Sequence, residues 1–208
     1  MNFFGHAVMA MERGGGPAFV LGSMLPDFAS MLRAKVPTAA LAEVTEGIAF
    51  HHATDEAFHG APSFLEASSA SFAWLTEASM DRGSARAIAH VGVEILLDRT
   101  LAQEAERRSG YMASLAHDGA FDATRWGKPD DAPRAAELRA ALLRHGVDIH
   151  DCAEAVIAER LFRILARRPR LAFPRDDLPK VEAWVAHMDP QVRALAPAII
   201  AEVRTGIP

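Results

Sequence analysis

The sequence has one cysteine and one tyrosine in 208 residues, and aromatic side chains make up only 7% of it. A lone Cys152 rules out an internal disulfide and any Cys-rich zinc ribbon; it reads as a small buried hydrophobe in a reducing compartment. No apolar run approaches the roughly 20 residues that a membrane span needs. Acidic residues outnumber basic ones, 27 to 22, with both signs interspersed. The broad basic field of a nucleic-acid binder is therefore missing, and nucleic acid is not an expected partner. The opening MNFFGHAVMAMERGGG has no basic segment ahead of its apolar stretch and carries Glu12 directly behind it, which is not a signal-peptide pattern. A cytoplasmic protein is expected. Also lacking are a Gly-x-Ser-x-Gly elbow, a reactive Cys with a local His, a Walker loop and a dinucleotide fingerprint.

What the chain does have is Ala and Leu, with half of its residues apolar and the apolar positions recurring at three and four. That spacing predicts an all-α fold: one helical domain over 1–208, with a metal-site half at 1–108 and C-terminal helices at 133–208. Thr38, Ser63 and Ser84 are expected N-caps. Breaks are expected at 14–17 and 80–83. Between Gly110 and Pro133 the run HDGAFDATRWGKPDDAP reads as a long loop or a pair of short turns. Helices should follow at 133–145, 149–167, 178–187 and 190–204, the last kinked by Pro197.

Residues 51–59, HHATDEAFH, concentrate imidazole and carboxylate in a segment otherwise rich in Ala and Phe. On a helix, residues four apart share a face, so His51, Asp55 and His59 form one ridge drifting by roughly 40° per step. The ridge continues the apolar stripe of Leu41, Val44 and Ile48. The helix that starts near Ser84 repeats the pattern, with His90, Glu94 and Asp98 framed by Ala87, Val91, Leu97 and Leu101. A carboxylate on a core face costs several kcal/mol unless it is paired or bound to a metal. Facing rows of His and carboxylate are how helical bundles build metal sites. The bland alternative is a satisfied core histidine, a capping acid and a solvated face. His6, in the first helix, and Asp27, expected to open a new helical turn after Pro26, are further candidates.

In order and spacing, MNFFGHA, LGSMLPDF, GIAFHHATDEAFHGAP and EILLDRTLA resemble the acyl carrier protein phosphodiesterases. These are small all-helical, HD-like enzymes that use Mn²⁺ to cleave phosphopantetheine from the serine of acyl carrier protein. The resemblance covers about the first half of the chain. It implies that His6 stands at the family's early histidine, Asp27 at the Asp of its Gly-Asp-Phe motif, and His51 and Asp55 at the His and Asp of its third motif. Glu94 and Asp98 stand at the two acids of the last motif. Departures are His52 for an Arg, His59 for a second Asp, Arg99 for a His, and Ala61-Pro62 for a His-Pro pair. GSMLPDF is also similar to the Gly-x-x-x-Pro-Asp of zinc-dependent phospholipase C enzymes.

The chemistry this implies is phosphoester hydrolysis by a divalent metal, Mn²⁺ foremost, with Fe, Mg²⁺ or Zn²⁺ as alternatives. The expected ligands are Asp27, His51, Asp55, His59, Glu94 and Asp98. His6, His52 and His90 are candidates for a general acid or a supporting role, and Arg99 for a phosphate contact. Acyl carrier protein is the implied partner; it is acidic, and Arg160, Arg163, Arg167, Arg168, Arg170 and Arg175 form the best candidate docking surface. Two other readings use the same residues: hydrolysis of a small phosphorylated metabolite or lipid headgroup, and a non-catalytic helical protein that kept the scaffold.

Overall fold

The three- and four-residue spacing of apolar positions becomes helix along most of the chain. In the computed structural model, which describes residues 1–207, the helices are α1 (Phe3–Glu12), α2 (Pro17–Leu32), α3 (Ala42–Gly60), α4 (Pro62–Glu77) and α5 (Arg82–Leu101). They continue as α6 (Ala105–Leu115), α7 (Asp118–Asp122), α8 (Asp131–His145), α9 (Glu154–Ala166) and α10 (Leu178–Gly206). Two short strands, β1 (Thr38–Ala39) and β2 (Thr124–Arg125), pair antiparallel with Thr38 opposite Arg125. The fold is all-α, and one continuous apolar core runs from Phe4 and Phe28 to Trp184 and Val203. No helix among the described residues is long and apolar enough to cross a membrane.

Several local expectations are corrected. Thr38 belongs to β1 and α3 starts at Ala42. The cap of α5 is Asp81, whose carboxylate accepts from the N–H groups of Gly83 and Ser84, while Ser84 Oγ donates to the carbonyl of Ala172. Ser63 lies inside α4, and both its N–H and its hydroxyl donate to Glu202 of α10. The segment expected as a loop holds the end of α6, all of α7 and β2. The expected helix at 149–167 is a single 3₁₀ turn at Ile149–Asp151 followed by α9. Cys152 is half-buried rather than buried.

Prolines end fewer helices than local rules suggest. α2 runs straight through Pro26, so Asp27 sits mid-helix instead of opening a new turn; tight burial of Leu21, Met24, Leu25 and Phe28 around it holds the helix together. The two expected C-terminal helices are one, α10, with Pro190 and Pro197 inside it. Both prolines are exposed, and so are Ala186 and Arg193, whose carbonyls lose a helical partner and can take water instead.

The crossing of α2 and α3 is the feature that places the polar residues. A Cβ on Gly22 would collide with the carbonyl of Val44, and one on Gly47 with the carbonyl of Phe19. Only glycine lets the two backbones come this close. One turn beyond Gly47 is His51, and next to Gly22 is Ser23, so the crossing brings the His51 ring to the Ser23 carbonyl.

Candidate metal centre

Four helices supply the polar side chains: α1 gives His6, α2 gives Asp27, α3 gives His51, Asp55 and His59, and α5 gives His90, Glu94 and Asp98. They form two groups. Ligand atoms of His6, Asp27 and His51 lie within 4.8 Å of one another, and those of His59, His90 and Glu94 do the same. Asp55 stands between the groups, with Oδ1 3.8 Å from His6 Nε2 and Oδ2 3.5 Å from His59 Nδ1. The ammonium of Met1 is 3.2 Å from Asp55 Oδ1 and 3.3 Å from Glu94 Oε1.

Three of the imidazoles have their tautomer fixed from behind. His51 Nδ1–H donates to the Ser23 carbonyl at 2.9 Å, and His59 Nδ1–H donates to the Asp55 carbonyl at 2.9 Å. The Thr54 hydroxyl spends its single proton on the carbonyls of Phe50 and His51. Its oxygen is then an acceptor, and His6 Nδ1–H donates to it at 2.9 Å. His6 and His51 are each left with a bare Nε2 lone pair. That arrangement, a backbone or hydroxyl acceptor on one nitrogen and a free second nitrogen, is the one metal-binding histidines adopt.

Charge is unbalanced. Asp27, Asp55, Glu94 and Asp98 face the Met1 ammonium and His59, with Arg160 acting on Asp98 from farther off, and among the described residues no Lys or Arg forms an ion pair with any of the four. His6 Nε2, Asp27 Oδ2 and Asp98 Oδ1 are buried with no hydrogen-bond partner. Burial pushes the Asp27 carboxyl up to about 8 and that of Asp98 up to about 7. Burial also drives His51 down to about 4 and His6 well below its usual value, the latter helped by the neighbouring His51. For Asp55 and Glu94 burial works upward too, but the hydrogen bond from His59 and the ammonium overcome it and hold both below the usual range. Hydrogen bonds to Asp55 and Glu94 lift His59 to about 9, whereas burial lowers His90. A divalent cation would supply the positive charge that the buried acids lack.

The residues expected from sequence are therefore sorted, not simply gathered. His6 and His90, expected as catalytic or supporting groups, each sit within a potential ligand group. Asp98 is buried one turn beyond Glu94. His52 is exposed, one position past His51 and thus about 100° around the helix. Arg99 is likewise turned off the Asp98 face, with Nη1 3.7 Å from Asp189 Oδ1 on α10; it faces the core, not a phosphate position. The six arginines of the expected docking surface are all exposed, with Arg163 and Arg175 both paired to Glu159.

Sequence reasoning missed Thr54, Ser23 and the Met1 ammonium. Thr54 had a signal: a hydroxyl at three and four residues from His51, Phe50 and Phe58 lies on the buried stripe. The other two are long-range partners without a local pattern. A cleft of about 160 Å³ beside Met9, Arg13 and Phe50 shares no residue with either group. No protein-family model, curated protein or solved structure matches the chain.

Proposed function

We propose that this protein is a metal-dependent hydrolase of phosphodiesters, related in its site to the acyl carrier protein phosphodiesterases that its N-terminal motifs resemble. The observation that carries this reading is the pair of bare Nε2 lone pairs on His6 and His51 beside Asp27 and Asp55, with which no Lys or Arg among the described residues forms an ion pair. Asp27, His51 and His6 would hold the cation, with Asp55 beside them. Mixed nitrogen and oxygen donors suit several divalent metals, and the preference for Mn²⁺ comes from the resemblance.

When bound, the cation supplies Lewis-acid chemistry, activating water toward phosphorus and neutralising charge on the phosphoryl oxygens. The chain's own residues do the rest. Ser23 and Thr54 keep the His51 and His6 lone pairs in place, so no reorientation is needed at binding. Neutral imidazoles at His6 and His51 can offer their lone pairs without first losing a proton, whereas Asp27, pushed up to about 8, gives up its proton when a cation binds. Substrate reaches the group from the side of Asp55, His59 and His90, whose side chains are 39%, 35% and 46% exposed, while His6 is sealed at 0%. The exposed arginines of α9 and the following turn offer a positive face of the kind an acidic carrier protein would need.

The test is elemental analysis of protein purified without chelator, followed by incubation with holo acyl carrier protein and Mn²⁺. Loss of the phosphopantetheine mass, abolished by chelator, is expected. Hydrolysis of bis(p-nitrophenyl) phosphate without conversion of the carrier protein would move the substrate to a small phosphodiester. A protein that retains no metal and ignores millimolar Mn²⁺ would end the reading.

A further inference from the structure

We propose that His59, His90 and Glu94 form a second cation site, distinct from the Asp27–His51 group, that takes one four-coordinate ion of the Zn²⁺ type. It does not require the protein to be a phosphodiesterase; it stands on the geometry of these three side chains. His59 Nε2 and His90 Nε2 are 3.2 Å apart, and Glu94 Oε1 is 3.5 Å from the first and 3.4 Å from the second. The triangle is nearly equilateral. Zinc bonds of about 2.0–2.1 Å in a tetrahedron separate neighbouring ligand atoms by about 3.3–3.4 Å, so these three atoms have the dimensions of one tetrahedral face.

The surroundings are those of a built site. His59 is held by its Nδ1–H bond to the Asp55 carbonyl, with Asp55 Oδ2 3.5 Å from the same nitrogen. The buried ring of Phe64 meets both imidazoles edge-on, at 5.8 Å from His59 and 5.4 Å from His90, and the two imidazole planes differ by 4°. A single proton on His59 Nε2 is divided between His90 Nε2 and Glu94 Oε1, and the latter also lies 3.3 Å from the Met1 ammonium. One cation satisfies all three donors together. Half-exposed His59 and His90 leave its fourth position open to solvent, which is the pattern of reactive zinc sites rather than closed structural ones. The near-tetrahedral spacing of the three ligand atoms, more than their types, favours Zn²⁺ over the octahedral preference of Mg²⁺ or Mn²⁺.

The experiment uses the full chain, stripped with chelator and dialysed against micromolar Zn²⁺, with bound metal counted by elemental analysis. Co²⁺ serves as a spectroscopic probe, since its four-coordinate form absorbs strongly in the visible. Wild type should bind two equivalents of Zn²⁺. His90→Gln and His59→Gln should each bind one and lose the four-coordinate Co²⁺ bands, with helical circular dichroism unchanged because both residues are half-exposed. Asp27→Asn should also bind one but keep those bands. A wild type with one equivalent, lost in His90→Gln and kept in Asp27→Asn, would support this site and remove the metal basis of the phosphodiesterase reading. If His90→Gln and His59→Gln match wild type in both zinc content and cobalt spectrum, or if no zinc binds, the second site is overturned.

Discussion

The inner and outer histidine groups share α3 and lie on either side of Asp55, yet His59 of the outer group is set for the opposite protonation from the two inner imidazoles. His6 is sealed in the core, and its ring lies against that of His51, tilted by 30° with centroids 3.8 Å apart. Burial there removes the proton from both rings. His59 sits where α3 approaches α5 near solvent, and hydrogen bonds to Asp55 and Glu94 keep a proton on it past neutral pH. The same residue type is thus prepared for a cation in one place and made to choose between a cation and a proton in the other. Local packing decides which, not sequence spacing.

Removing Asp55, which touches both groups, should have the largest effect. At a hundredfold excess of Mn²⁺ over its dissociation constant, ion binding stabilises the native state by about 2.7 kcal/mol, or roughly 5–10 °C in a chain of this length. Melting curves with Mn²⁺ and in chelator should show that gain in wild type and little of it in Asp55→Asn. Equal gains would show that Asp55 does not help hold the ion.

Next is Gly47→Ala, which forces α2 and α3 apart at their crossing and should cost about 1–3 kcal/mol by overpacking. It separates His51 from Ser23, so it should weaken the inner group while leaving zinc binding at His59 and His90 intact. Chemical denaturation and metal counting on the same sample test both halves of the claim; a loss at both groups would mean they are not independent.

Thr54→Val is smaller and more selective. It keeps the shape but removes the acceptor that fixes His6, and should lower inner-group affinity about tenfold, the modest end of the range for such supporting hydrogen bonds. An unchanged affinity would place His6 outside the ligand set.

The smallest effect is in pH. His51 is lowered to about 4, so in metal-free protein its contribution to stability is present above about pH 6.5 and is lost as pH falls toward 4. His59 is raised to about 9, so its contribution is present below about pH 6.5 and is lost as pH rises through 9. The stability difference between wild type and His51→Gln should shrink on acidification, and that between wild type and His59→Gln on alkalinisation. Parallel behaviour of the two variants would erase the contrast between the groups.

The four-residue rows and the all-α fold were legible because helical periodicity is a local signal, and His51, Asp55, Glu94 and Asp98 do share inward faces. The division into two groups was not, because it depends on which helix ends meet in space. Row membership alone left His6 and His90 as candidates for a general acid or a supporting role, whereas the three-dimensional placement puts each beside two ligand-type side chains. Neighbours in sequence misled in the other direction: His52 and Arg99 adjoin key residues and are rotated away from them. Helix ends failed for a similar reason. Whether Pro26, Pro190 and Pro197 break a helix depends on tertiary burial or hydration of the freed carbonyls, which no tripeptide carries.

His59 and His90 are 31 residues apart in the chain and meet through their Nε2 atoms, although α3 and α5 scarcely pack against each other elsewhere. An ion at that meeting point is therefore a rivet between two helices that the apolar core does not fasten directly, closing a loop that runs through α4. Filling that point would limit how independently the two helices move: without the ion, the end of α3 and the middle of α5 are joined only indirectly, through α4, α1 and α10, and backbone amides at that seam should exchange with solvent sooner than those around the glycine crossing. Metal supply would then tighten one seam of the bundle, while the other is held by the close packing of α2 on α3.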